Sequence, residues 1–240
     1  MARVGRPPQD PVRQLERAHR ILDAAAELIL RWGYDKTTID DVAKRADVAK
    51  GTIYLHWKTR DDLFVALLRR ERVRLLEDIR ATAPATVSEL FGRFVGALLR
   101  RPLVRAVLIG DSEVLGKLTR RKRESSTGLE LGGAFDTYLG RLVEHGAVRK
   151  DPGDHATVIM SVLYGFVSLP DLLPDEARLP DHRIGELVAD TLERALAPDR
   201  PLPDADARVV ARATLDFLAA MEEAAGHKLA ASLGLKERAT

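Results

Sequence analysis

Residues 37–62, TTIDDVAKRADVAKGTIYLHWKTRDD, spell two short helices and the cap of a third. Thr38 followed three residues later by Asp41 puts a hydroxyl and a carboxylate where an N-cap and its reciprocal partner belong, ahead of Ile39, Val42, Ala43 and Ala46 at helical spacing. Asp47 and Val48 interrupt that pattern. A second run begins near Ala49, with Ile53 and Trp57 four apart on one side and Lys50, Thr52, Tyr54 and His56 on the other. Those four side chains all donate hydrogen bonds and suit phosphate oxygens or base edges. Gly51, costly inside a helix, fits a place where another backbone comes close. Thr59 and Asp62 repeat the cap ahead of Leu63, Phe64, Leu67 and Leu68, so a longer helix starts there.

These residues resemble the DNA-binding domain of TetR-family transcriptional regulators, with Thr38, Val42, Ala43, Val48, Gly51, Thr52, Ile53, Tyr54, His56 and Trp57 at the matching positions. Two positions depart from the family pattern. Asp47 stands where Gly is usual, and Asp tolerates a left-handed turn better than most residues. Ala49 replaces the usual Ser and forfeits a side-chain cap worth about 0.5–2 kcal/mol. The resemblance implies a helix-turn-helix whose second helix, about 49–56, enters the major groove. Thr52, Leu55 and His56 would then face bases, Lys50 and Tyr54 phosphates, with Gly51 at the closest approach and Thr38, Lys58 and Arg60 anchoring the DNA backbone.

Of 240 residues, 45% are apolar and 31% charged, enough for one large or two modest folded domains. Cysteine is absent, which excludes disulfides, thiolate metal sites and a cysteine nucleophile, and a reducing cytoplasm is the expected setting. No secretory apolar segment and no uninterrupted apolar run of eighteen residues occurs, so no membrane partner is expected. Charge is uneven: residues 1–60 hold 12 basic and 8 acidic side chains, while the remainder is slightly acidic. The basic end is the end with the motif, as suits a protein presenting one face to a polyanion.

Taken in order, residues 1–12 read as a disordered basic arm, and Arg3 and Arg6, the latter in Gly5-Arg6-Pro7, suit a minor groove. Residues 13–62 form the three-helix DNA-binding domain, its first helix striped by Ala18, Ile21, Leu22, Ala25, Leu28, Ile29 and Trp32 and closed by Gly33. A connecting helix occupies 63–82, its arginines Arg69, Arg70, Arg72 and Arg74 read as a solvated face. Ala83-Pro84 breaks the chain, and helices over 87–101, 102–118, 128–146, 155–169 and 183–197 build an effector-binding and dimerisation domain over 83–198. Arg120-Arg121-Lys122-Arg123 reads as an exposed turn. Residues 199–240 form a helical extension beyond the usual family pattern.

The whole is therefore expected to be all-α. The helix over 155–169 is apolar nearly all round, and with 183–197 it occupies the positions of the family's dimer bundle, so Val158, Val162, Phe166, Leu187 and Leu192 are expected in a homodimer interface. Phe91, Phe94, Phe135, Tyr138, Met160 and Tyr164 are expected to line an effector pocket between bundle helices. The six histidines lack metal-ligand spacing, and no phosphate loop or nucleophile elbow appears, so neither enzyme activity nor a cofactor is expected. The function implied is a repressor released from a palindromic operator by a small apolar or amphiphilic molecule. The competing expectation is an effector-independent, nucleoid- or division-associated DNA-binding protein.

Overall fold

Two reciprocal caps frame the N-terminal domain. The structure, a computed structural model, describes residues 11–115, 132–151, 153–198 and 200–234. Thr38 Oγ1 accepts from the Asp41 N–H at 3.2 Å while the Asp41 carboxylate accepts from the Thr38 N–H at 3.1 Å, and Thr59 with Asp62 repeats the box at 3.1 and 3.0 Å. They start α2 (Ile39–Arg45) and α4 (Arg60–Ala81); α3 (Lys50–His56) lies between, and α1 (Pro11–Trp32) packs on α2 and α4. Asp47 turns the chain between α2 and α3 at φ +52°, in the left-handed region. Ile21, Leu22, Ile53, Leu63, Phe64 and Leu67 are fully buried in one core.

Two expectations for this domain need correction. The arm expected over 1–12 loses its last two residues to α1, since Pro11 occupies the first helical position, where a missing N–H costs nothing; Arg3 and Arg6 lie outside the described residues. Trp32 is 41% exposed, because the last turn of α1 runs past the core. Tyr34 fills that place from the following loop, edge-on to Phe64 with centroids 4.8 Å apart.

The remaining described helices are α5 (Val87–Leu99), α6 (Pro102–Ile109), α7 (Ser112–Leu115), α8 (Gly132–Glu144), α9 (His155–Ser168), α10 (Asp181–Leu196) and α11 (Asp204–Ser232); no strand occurs among the described residues. Arg120–Arg123 lies outside them. Helices α5 and α10 meet across small residues: a Cβ on Gly92 would stand 2.8 Å from the Gly185 carbonyl oxygen, and one on Gly185 would stand 2.8 Å from that of Gly92. Close approach lets Val188 and Leu192 reach Leu98 and Val95 in a second core, completed by Leu142, Ile159 and Leu163.

Helix α4 belongs to both cores. Its first half supplies Leu63, Phe64 and Leu67 to the N-terminal one, its second half Leu75, Leu76 and Ile79 to the other. Helix α6 also bridges them, burying Leu103 in the N-terminal core. The 29-residue α11 runs antiparallel along α4, with Arg80 paired to Glu222 at 2.7 Å at one end and Arg69 donating to the Lys228 carbonyl at 3.1 Å and to Ser232 Oγ at 2.5 Å near the other. Arg69 and Arg70 are thus not part of a solvated face. Arg70 is 2% exposed and holds Asp23 at 2.8 Å, Glu71 at 3.1 Å and the His19 carbonyl at 3.0 Å, clamping α1 to α4; Arg74 shares Glu71 at 3.2 Å.

Removing one partner of a buried ion pair costs far more than removing an exposed one. Arg70 is buried while its partner Asp23 is largely exposed, so Arg70→Ala should lower stability by about 1.5–3 kcal/mol through its lost charged hydrogen bonds, and Arg80→Ala by less than about 1 kcal/mol. Urea denaturation of both variants checks this, and equal losses would deny Arg70 its clamping role.

Candidate functional site

Helix α3 is only seven residues long and is held by one side. Ile53 and Trp57 are buried in the N-terminal core, and Val48 packs beside them. Everything opposite faces outward: Tyr54 is 47% and Leu55 67% exposed, Lys50 and Gly51 are exposed, and Thr52 and His56 are half-buried at the flanks. Ala49 caps the helix without a side-chain hydrogen bond, as its hydrocarbon side chain dictates. A Cβ built on Gly51 meets nothing within 4 Å, so no packing among the described residues demands glycine there.

The charges around this face are partly spoken for. Lys50 Nζ sits 2.8 Å from Asp40 Oδ2, and that hydrogen-bonded carboxylate raises the lysine pKa. Arg60 turns inward rather than toward solvent: its guanidinium lies 4.3 Å over the Tyr34 ring and donates to the Thr37 carbonyl at 3.2 Å. Tyr34 in turn donates to Asp61, and burial first, then that carboxylate, pushes its pKa up to about 12. The Thr38 hydroxyl is used in its capping box, while Lys58 stays exposed. Burial lowers the His56 pKa, and Arg17 of α1 lowers it further; both favour the neutral imidazole, which offers one donor and one acceptor. Sequence reading missed both Asp40 and Arg17; neither carries a motif, and only folding brings them to this face.

A cavity of about 100 Å³ lies between α4, α5, α6 and α11. Phe91 and Phe94 line it as expected, together with Leu75, Leu76, Phe217 and Met221. The other residues expected there sit elsewhere. Phe135 and Tyr138 pack behind Phe217, the latter stacked on its ring at 4.9 Å. The Thr214 hydroxyl donates to the Val210 carbonyl at 2.9 Å, so the Tyr138 phenol donates to Thr214 at 3.0 Å; its partner is internal, and burial raises its pKa to about 12. Helix α9 directs His155, Ile159, Leu163 and Val167 inward, which leaves Met160 half-buried on its flank and Tyr164 53% exposed. A second hollow, about 380 Å³, is lined by Leu142, Leu192, Leu196 and Leu202 at the far end of the bundle.

Val158, Val162 and Phe166 on α9 and Leu187 on α10 are half-buried, beside the exposed Tyr164, Leu169 and Leu172. Leu192 is a correction: with Ile184, Val188 and Leu196 it forms the stripe of α10 that faces α5, and it is fully buried within the chain. Although no uninterrupted apolar run was found, the window His155–Leu172 averages a hydropathy of 1.3, and only 22% of it is buried. Among the described residues no cluster of three or more His, Asp or Glu side chains could hold a metal ion.

The family profile described as "Bacterial regulatory proteins, tetR family" matches residues 21–67. The HTH-type transcriptional repressor KstR of Mycolicibacterium smegmatis is 31% identical over 160 residues, 62% of this chain and 74% of the relative. The HTH-type transcriptional regulator Mb3439c of Mycobacterium bovis is 32% identical over 185 residues, 76% of this chain and 93% of the relative. In three dimensions the fatty acid degradation regulator FadR of Bacillus halodurans superposes with a TM-score of 0.57 at 21% identity, over 77% of this chain and 96% of that one, a likeness of fold. With the helix-turn-helix and these relatives in view, the chain belongs to the TetR family of DNA-binding transcriptional regulators.

Proposed function

We propose that this protein represses transcription by holding a near-palindromic operator as a homodimer, and releases it when a small molecule fills the cavity between α4, α5, α6 and α11. One observation carries the reading. Leu68 of α4 packs on the N-terminal core and also lines the cavity, and α6 does the same through Leu103 and its neighbour Val104. A molecule that forces α4 and α6 apart thereby moves both contacts to the DNA-binding domain. The names of the KstR relatives as repressors support the direction of the effect. The larger hollow at the far end borders neither Leu68 nor Leu103, and so lacks this connection.

In this reading Thr52, Leu55 and His56 meet base edges in the major groove, Lys50 and Tyr54 hold phosphates, Gly51 admits the backbone, and Thr38 and Lys58 flank them. Arg60 keeps the α4 start in place from within and reaches the DNA backbone only at its outer edge. Arg3 and Arg6 take the adjacent minor groove. The dimer forms through the outer faces of α9 and α10, Val158, Val162, Phe166 and Leu187, which accounts for an apolar helix so little covered by its own chain. Ligand binding shifts the population toward dimers whose recognition helices no longer match half-sites about one helical turn, or a multiple of it, apart. Such a regulator works in the cytoplasm, where its operator is.

Selecting bound duplexes from a random pool at near-physiological salt tests the central claim: an inverted repeat should emerge, and binding without enriched sequence would refute an operator-specific repressor. Gly51→Ala separates function from folding. It should raise stability by up to about 1 kcal/mol, alanine being the better helix former, yet weaken operator binding; unchanged binding would remove the close approach assigned to Gly51. Asp40→Asn frees Lys50, so affinity for operator and random duplex alike should rise by a few-fold, the order of one exposed ion pair. A gel-shift titration of both duplexes reads this, and a fall in affinity would argue that Asp40 positions Lys50 rather than occupying it.

A further inference from the structure

Among the described residues Arg72 is the one charged side chain in the lining of the α4–α5–α6–α11 cavity; every other described lining group is hydrocarbon or thioether. It is half-buried, and unlike its neighbours it has no hydrogen bond or ion pair among the described residues. Arg69 is tied to Lys228 and Ser232, Arg70 to Asp23 and Glu71, Arg74 to Glu71, and Arg80 to Glu222. Its own helix offers Arg72 no anion either, since the residues one turn away are Leu68, Arg69, Leu75 and Leu76. A guanidinium partly withdrawn from water without a counter-charge is unfavourable, and its planar fork matches a carboxylate or phosphate in two parallel hydrogen bonds.

Exposure sorts the lining into depth. Leu68, Arg72, Val104, Val107 and Leu108 are half-exposed and form the rim, whereas Leu90, Phe91, Leu218 and Met221 are buried and form the floor. The enclosed space is small, about 100 Å³, less than the about 150 Å³ that holds benzene, so it admits the end of a slim alkyl chain, the rest lying along the apolar rim, rather than a multi-ring body. Met221 at the floor can adjust to its length.

We propose that the cavity receives a single-chain amphiphile, its alkyl tail ending on the apolar floor and its anionic headgroup paired with Arg72 at the rim. The inference rests on the reading of this cavity as the effector site, and adds the headgroup charge and the residue that selects it. Placed there, the anion engages α4 one turn beyond Leu68, the side chain shared with the N-terminal core.

Calorimetric titration of the full-length protein with decanoate, decyl phosphate, decanol and decyltrimethylammonium, each kept below self-association, tests it. The anions should bind about tenfold or more tightly than decanol, as a hydrogen-bonded charge pair requires, and the cation most weakly; decanoate against decyl phosphate tells which headgroup the site prefers. Arg72→Gln should bind decanol unchanged and lose the preference for anions. Equal affinity for decanoate and decanol in the natural protein, or an anion preference that survives in Arg72→Gln, overturns the assignment while leaving the cavity as effector site. Val107→Trp, which fills the rim, should abolish binding of every probe. If it binds them undiminished, or if no probe binds the natural protein at all, the effector-site reading falls and this inference with it.

Discussion

Everything in this molecule turns on α4 being buried at both ends. A 22-residue helix is a rod of roughly 33 Å, and its two halves supply apolar side chains to two separate cores. Such a rod transmits displacement because bending it would break backbone hydrogen bonds, whereas tilting it only repacks side chains at either end. Arg70 fixes it to α1, Arg69 and Arg80 fix it to α11, and Arg60 fixes its first turn to the loop carrying Tyr34. A cavity against one flank of such an element is therefore coupled to the other core without any chain of special residues between them.

The two glycine usages in the chain illustrate how differently packing and function constrain the same residue type. At Gly92 and Gly185 a side chain would collide with the carbonyl oxygen of the facing helix, so the contact between α5 and α10 exists only because both are glycine. At Gly51 a side chain would meet open space. Helix propensity argues against glycine there, and no packing among the described residues compensates, which is what the close approach of DNA proposed for Gly51 would do. Arg72 is a parallel case: Arg69, Arg70 and Arg74 on the same helix find partners, while it finds none among the described residues.

What could be read from the sequence was what is local. The caps at Thr38 and Thr59, the left-handed turn at Asp47 and the uncapped Ala49 follow from a few consecutive residues, and each stands as expected. What failed depended on which way a helix faces. Helix α10 has apolar residues on two sides, and periodicity does not say that Leu192 belongs to the α5 side and Leu187 to the outer one. Tyr138 and Tyr164 were alike as candidates until folding gave one a partner in Thr214 and turned the other to solvent. The arginines of α4 looked like a solvated face because their partners, Asp23, Glu222 and Ser232, lie tens to more than a hundred residues away in sequence.

Helix α3 depends on its surroundings for its shape. Seven residues are too few to form a stable helix alone in water, and this one lacks even a side-chain cap. Its conformation is borrowed from the core that Ile53 and Trp57 enter, and that core is completed by Leu63, Phe64 and Leu67 of α4 and Leu103 of α6. A helix with so little stability of its own has no position independent of those supports. Its position is accordingly set by the two helices that also wall the cavity, and in the proposed reading DNA affinity becomes a property of how α4 and α6 stand with respect to each other.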